Sequence, residues 1–167
     1  MQPGNPHLFK LSPNFTLWEA YKSQSADRNG IDNRPPEQVI PALIRAAALM
    51  EKIRETLGSR PISPSSWYRS PSLNRVVGGA SRSQHIHGTA VDFDCDPYGT
   101  PLDICRAIIA NKSSIRFEQL ILEHSWVHVS VPNDPNGKPK LQVLSLLKSG
   151  SYANGLTNTS GVPYGSV

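Results

Sequence analysis

The chain has 167 residues, 38% of them apolar and 18% charged, with 15 prolines and 12 glycines. That is long enough to bury a true core, and the balance excludes a coiled coil, a disordered acidic chain and a collagen. The net charge of +4 permits contact with polyanions, but the basic residues are scattered without interleaved aromatics, so no nucleic-acid partner is expected.

Taken in chain order, residues 1–14 are rich in Pro and Asn and read as an irregular lead-in. Residues 1–10 lack the charged and apolar regions of a signal peptide, and no apolar run approaches the ~20 residues of a membrane span. Thr16-Leu17-Trp18-Glu19 has the form of a capping box and opens a short helix to about Ser25. Residues 26–36, with Gly30, Asn33 and two prolines, read as a loop. The strongest helix is predicted over 41–57. Ile40, Leu43, Ile44, Ala47, Met50, Ile53 and Leu57 recur at steps of three and four, Pro41 suits the first turn, and Gly58 and Pro61 stop the helix.

Residues 90–95 alternate, with Val91, Phe93 and Cys95 on one face and Asp92 and Asp94 on the other. A second helix opens at Thr100-Pro101-Leu102-Asp103 and buries Leu102, Cys105, Ile108 and Ile109. Residues 119–123 form a short apolar run. In 126–131 the valines face one way and Trp126, His128 and Ser130 the other. After a turn cluster containing Asn136-Gly137, residues 141–147 read as the returning strand, and 149–167 as an irregular tail. The predicted class is α+β: a small, mainly antiparallel sheet with helices packed on one side. Residues 1–148 form a single domain in this reading. Cys95 and Cys105 are too few for a disulfide scaffold, and free thiols are the default.

Four of the five histidines (His85, His87, His124 and His128) fall within about a quarter of the chain. His85 and Asp92, brought together across a tight turn at Gly88, make two-thirds of a catalytic zinc site, which needs three protein ligands and an open position. His128, on a strand beside Ser130, is the natural third ligand. His87 competes with His85 from two residues away. Asp94 and Asp96 lack the remainder of a calcium loop. Hydrolysis also needs a proton-transfer group and a cation for the developing oxyanion. Glu123, across a short His-Ser bend from His128, suits the first role, and Arg69 suits the second with its fork of donors. Ser83, His87, His124 and Trp126 are candidate substrate contacts. Ser83 serves equally well as a cap for the loop around His85, and tryptophans such as Trp126 and Trp67 are more often packing residues.

Ser83-Gln84-His85-Ile86-His87-Gly88-Thr89-Ala90-Val91-Asp92 resembles the S-x-H-x-x-G-x-A-x-D signature of the zinc D-Ala-D-Ala carboxypeptidases and related peptidoglycan peptidases, the M15 group that includes phage endolysins. Trp126-Val127-His128 resembles that family's W-x-H segment. Ser66-Trp67-Tyr68-Arg69-Ser70-Pro71, with Asn74 and Val77-Gly78-Gly79, looks like its upstream block. The resemblance implies a fold shared with the D,D-dipeptidases and the hedgehog signalling domain. It further implies one Zn²⁺ held by His85, Asp92 and His128, with Glu123 as catalytic acid/base and Arg69 as substrate or oxyanion contact. One departure concerns the dipeptidases' E-x-x-H arrangement, because Ser125 stands where the Glu would be and leaves Glu123 and His124 as substitutes.

The implied activity is zinc-dependent hydrolysis of an amide bond in peptidoglycan stem peptides, of D-Ala-D-Ala carboxypeptidase or L-Ala-D-Glu endopeptidase type. The expected setting is a monomeric phage or prophage lysis enzyme, made in the cytoplasm and released to the cell wall. The alternative is a non-catalytic zinc-binding module of the same fold.

Overall fold

A computed structural model of the chain describes residues 5–165, so the outermost parts of the predicted lead-in and tail lie outside the described residues. A short antiparallel pair, β1 (Lys10–Ser12) and β2 (Phe15–Thr16), leads into α1 (Leu17–Tyr21). The Thr16 capping box forms: the hydroxyl accepts from the Glu19 amide, and the Glu19 carboxylate takes the Thr16 N–H. The predicted single helix to Ser25 is instead two. Ser23 recaps the chain by accepting from the Ala26 amide, and α2 (Gln24–Arg28) occupies the start of the predicted loop. An N-capping Ser can restart a helix because its side chain satisfies an amide that would otherwise be orphaned.

The long helix α3 (Ile40–Thr56) has Pro41 in its first turn. It ends in a Schellman closure, with Gly58 N–H donating to Glu55 and Ser59 N–H to Arg54. Leu43, Ala47, Met50 and Ile53 of the predicted stripe are fully buried, and Ala46 and Leu49 join them. Ile44 departs from the expectation: it is 43% exposed, on the flank of the stripe. Helix α4 (Pro71–Val76) follows, capped by the Ser70 hydroxyl. Helix α5 (Pro101–Ala110) starts where the sequence places it, with Thr100 as its cap, closed into a box by Asp103. Its buried face is Ile104, Cys105 and Ile108, whereas Leu102 and Ile109 are only half-buried. Cys95 and Cys105 are both free and buried, and burial pushes the Cys105 thiol up to about 12.

The main sheet has the order β3 (Ala90–Phe93), β5 (Val127–Ser130), β4 (Gln119–Leu122), β6 (Gln142–Leu146) and β7 (Tyr152–Asn154). Pairings are antiparallel except β4–β6, which is parallel. The returning strand therefore does not pair with its predecessor β5. Both edges of β5 are already taken by β3 and β4, so β6 crosses to the free edge of β4. The stretch predicted as an irregular tail supplies the outer strand β7.

Register sorts the side chains. Val91, Phe93, Val127, Val129, Leu120 and Leu122 share a cluster with α3 and α5, and Val143 packs against it. Asp92, His128, Ile121 and Leu144 form a cross-strand row on the opposite face, which the two long helices leave open.

Gly88 closes the turn into β3 with φ +72°. A Cβ there would stand 2.8 Å from both Leu43 and Val39 side chains. We expect Gly88→Ala to destabilise the fold by about 2–4 kcal/mol, combining left-handed strain with overpacking. A denaturant midpoint within experimental error of wild type would contradict this.

Candidate metal centre and active site

Three backbone devices converge on the open face. The first is the Gln84–His87 3₁₀ turn, whose start is capped by the Ser83 hydroxyl accepting from the His85 amide. The second is β3, whose Asp92 exchanges backbone bonds with residues 65 and 66: its N–H donates to Ser66, and its carbonyl accepts from Ser65. The third is β5, where Asp92 and His128 lie directly opposite each other. Sequence separation of 36 residues between those two thus becomes a cross-strand contact.

The segment carrying Arg69 is tied down from several sides. The Tyr68 amide donates to Ala20, and the Arg69 amide to the His85 carbonyl. Asn33, buried in its loop, donates to the Tyr21 and Tyr68 carbonyls and accepts from the Ser70 amide. Asn74 donates to the Ala80 carbonyl, and Gly79 is required beside it, since a Cβ there would overlap the Asn74 side chain. The Asn…Val-Gly-Gly pattern is therefore a clamp on the loop before His85.

His85, Asp92 and His128 are buried, and one donor atom from each lies within 4.8 Å of the others. His85 Nε2 is 3.2 Å from Asp92 Oδ2, and His128 Nδ1 is 2.9 Å from Asp92 Oδ1. Arg69 Nη2 also reaches Asp92 Oδ2 at 3.1 Å, while its Nε donates to the Ser66 hydroxyl. Burial opposes ionisation of Asp92, but its two imidazole neighbours outweigh it and hold the carboxyl below its usual range.

The His85 ring shows what the cluster is built to hold. Its Nδ1 donates to the Trp67 carbonyl at 2.6 Å, which leaves Nε2 of the neutral ring as a lone pair facing a carboxylate oxygen. Two acceptors at that separation repel unless a proton or a cation lies between them. Burial, the largest influence on His85, holds its pKa below 6.5 and disfavours the proton. A metal ion answers the remaining need, and two imidazole nitrogens with one carboxylate are a donor set suited to a small divalent cation. The Trp67 carbonyl is the outer contact that orients the ligand ring. The Trp67 indole in turn donates to the Gly88 carbonyl and packs edge-on against Phe15.

The other predicted residues are distributed around this centre. Glu123 and Trp126 flank a two-residue bend, joined by the Glu123 amide donating to Trp126. Since Ile121 pairs with His128, Glu123 is a diagonal neighbour of His128 on the same face, at the ~7–8 Å that long side chains span. Burial, then the Asp92 charge, pushes its carboxyl up, while His128, His124 and Arg69 pull it back. Glu123 and the exposed His124 border a cleft of about 320 Å³ between the start of α5 and the C-terminal segment. The indole N–H of Trp126 is buried and has no hydrogen-bond partner among the described residues. Ser83 is a cap, and His87 is exposed at the end of its turn rather than in the cluster. Sequence reasoning missed two contributors. The Trp67 carbonyl has no side-chain signature. Asn33 was hidden in a stretch that read only as a loop.

A buried His–Asp–His cluster on the open face of an α+β sheet defines a single-metal-centre protein. Residues 13–130 match the peptidase M15 family, and the chain belongs to that family. It is also 33% identical over 91 residues to the zinc D-Ala-D-Ala carboxypeptidase of Streptomyces albus G, an alignment covering 52% of this chain and 33% of that protein. The chain thus spans about a third of the length of the curated relative it matches.

Proposed function

We propose that the protein is a zinc peptidase that hydrolyses an amide bond in peptidoglycan stem peptides. The observation that carries this is the convergence of His85, Asp92 and His128 with Glu123 on one open sheet face. The peptidoglycan substrate is supported by the likeness to the carboxypeptidase.

His85 Nε2, His128 Nδ1 and an Asp92 oxygen would hold the ion. When bound, zinc supplies Lewis-acid polarisation of a peptide carbonyl and makes water acidic enough to ionise near neutrality. Glu123 accepts the proton of the attacking water as its oxygen bonds to the carbonyl carbon, and returns it to the amine nitrogen as the C–N bond breaks. Its raised pKa suits both halves of that transfer. Arg69 spends two donors on Ser66 and Asp92, and its remaining N–H groups hold the developing oxyanion or a substrate carboxylate. Trp126, level with Glu123 on the same sheet face, offers the edge of its ring to the peptide while its indole N–H stays buried. Ser83 serves the His85 turn, and His87 and His124 line the approach. Action as a monomeric, phage-type lysis enzyme at the cell wall belongs to the same proposal.

Purified peptidoglycan is digested with zinc-loaded and with chelator-treated protein, and the new ends are identified by mass. Release of a terminal D-Ala indicates carboxypeptidase action; new L-Ala and D-Glu ends indicate endopeptidase action. The chelated protein is expected to be inactive and to recover on zinc addition. Failure of the zinc-loaded protein to cleave any linkage sinks the peptidase reading, and zinc binding without cleavage supports a non-catalytic module.

No helix among the described residues is long and apolar enough to cross a membrane.

A further inference from the structure

The family match ends at residue 130, yet β6 and β7 follow it and extend the same sheet. Register carries the open face outward onto them. Leu122 pairs with Ser145, which places Glu123 level with Leu146, and Leu146 pairs with Tyr152. Trp126, Glu123, Leu146 and Tyr152 therefore form one cross-strand row on the face that holds Asp92 and His128. Tyr152 lies two strands out from Glu123, roughly 10 Å at the backbone, a gap its long side chain narrows. The ring is 53% exposed, so it stands over the face without being part of a packed core.

From this placement we propose that Tyr152 is a substrate-contacting residue, its hydroxyl donating to a carbonyl or carboxylate of the peptide seated between the metal centre and the β7 edge. The inference rests on the peptidase reading and adds to it a specificity element built by the C-terminal strand. Like any phenol it is a protonated donor at neutral pH, and burial, then the negative charges of Glu123 and Asp92, push it further up. A donor there suits an anionic or carbonyl-rich ligand, which the carboxylates of the site would otherwise repel.

Tyr152→Phe removes the hydroxyl and keeps the ring. With the zinc-loaded full chain and a soluble muropentapeptide ending in D-Ala-D-Ala, KM should rise about tenfold, as for loss of one hydrogen bond to a charged group. The turnover number should hold within about twofold, because such a contact binds ground state and transition state alike. Zinc content and melting temperature should match wild type. A KM within twofold of wild type overturns the proposal, as does a Tyr152→Phe protein that loses zinc or stability, which would mark a structural role. If wild type cleaves wall peptides but Tyr152→Phe is unimpaired, only the Tyr152 assignment falls. If wild type cleaves nothing, the peptidase reading falls first. Calorimetric binding of the same muropentapeptide to Glu123→Gln and to Glu123→Gln/Tyr152→Phe then decides the contact: about tenfold weaker binding by the double variant supports it, and equal or undetectable binding overturns it.

Discussion

Glu123→Gln should lower peptide hydrolysis by about 10²–10⁴-fold, the usual range for removing a positioned general acid–base, while leaving the metal centre loaded. The two halves of that result come from different parts of the structure. Glu123 is not among the three converging donors, so an isosteric amide there takes nothing from the ion. It is a half-buried carboxyl on the open face, diagonal to His128 in the ladder, with burial and Asp92 raising its pKa. Gln keeps the volume and the hydrogen-bonding shape but can neither take a proton from water nor give one to an amine. Turnover with elemental zinc analysis on the same samples checks both halves. Retained turnover removes Glu123 from the mechanism and moves the role to His124, its neighbour in the cleft.

Asp92→Asn should have the larger effect on the metal itself, weakening zinc affinity by more than about 100-fold, beyond the 10–100-fold typical of outer contacts. The carboxylate does two jobs at once. It faces both imidazoles, and it neutralises Arg69, whose Nη2 lies 3.1 Å away. An amide leaves the guanidinium uncompensated beside the position of the ion, so lost attraction is joined by new repulsion. Competition with a chromophoric chelator measures the affinity; a change under tenfold would mean that the carboxylate is not a ligand.

The same pair of groups gives the metal-free protein an acid-side limit. Asp92 has a folded pKa below its ordinary 3.8, and His85 below 6.5. Both therefore favour the deprotonated form in the fold. Their stabilisation is present above those ordinary values and is lost as pH falls through the lower folded ones. Thermal melts of the metal-free protein should decline steadily from neutral pH into the acid range, and a flat profile would contradict the linkage.

Local patterns in the chain already determine much of this molecule. Capping boxes at Thr16 and Thr100, the apolar stripe of α3, its glycine stop and the alternation in β3 and β5 all depend on neighbours a few residues apart. His85, Asp92 and His128 were legible as a set because each sits in a short motif that resembles one of the family's, and the turn at Gly88 and the strand alternation agree with that assignment. Only the tertiary structure decided what required distant partners. Whether Ile44 is covered depends on where the rest of the fold packs against α3, not on its own periodicity. That β6 joins β4 in parallel follows from β5 having no free edge, a property of the assembled sheet. The carbonyl that orients His85 belongs to Trp67, and a backbone oxygen looks the same in every residue. Tyr152 sits in a Gly- and Ser-rich stretch with weak strand signals; β6 gives that stretch its ladder and register brings the phenol to the open face. The motifs that resemble the family's pointed to the ligand candidates, but pairing across the sheet placed Glu123 on their face and Tyr152 two strands further out along it.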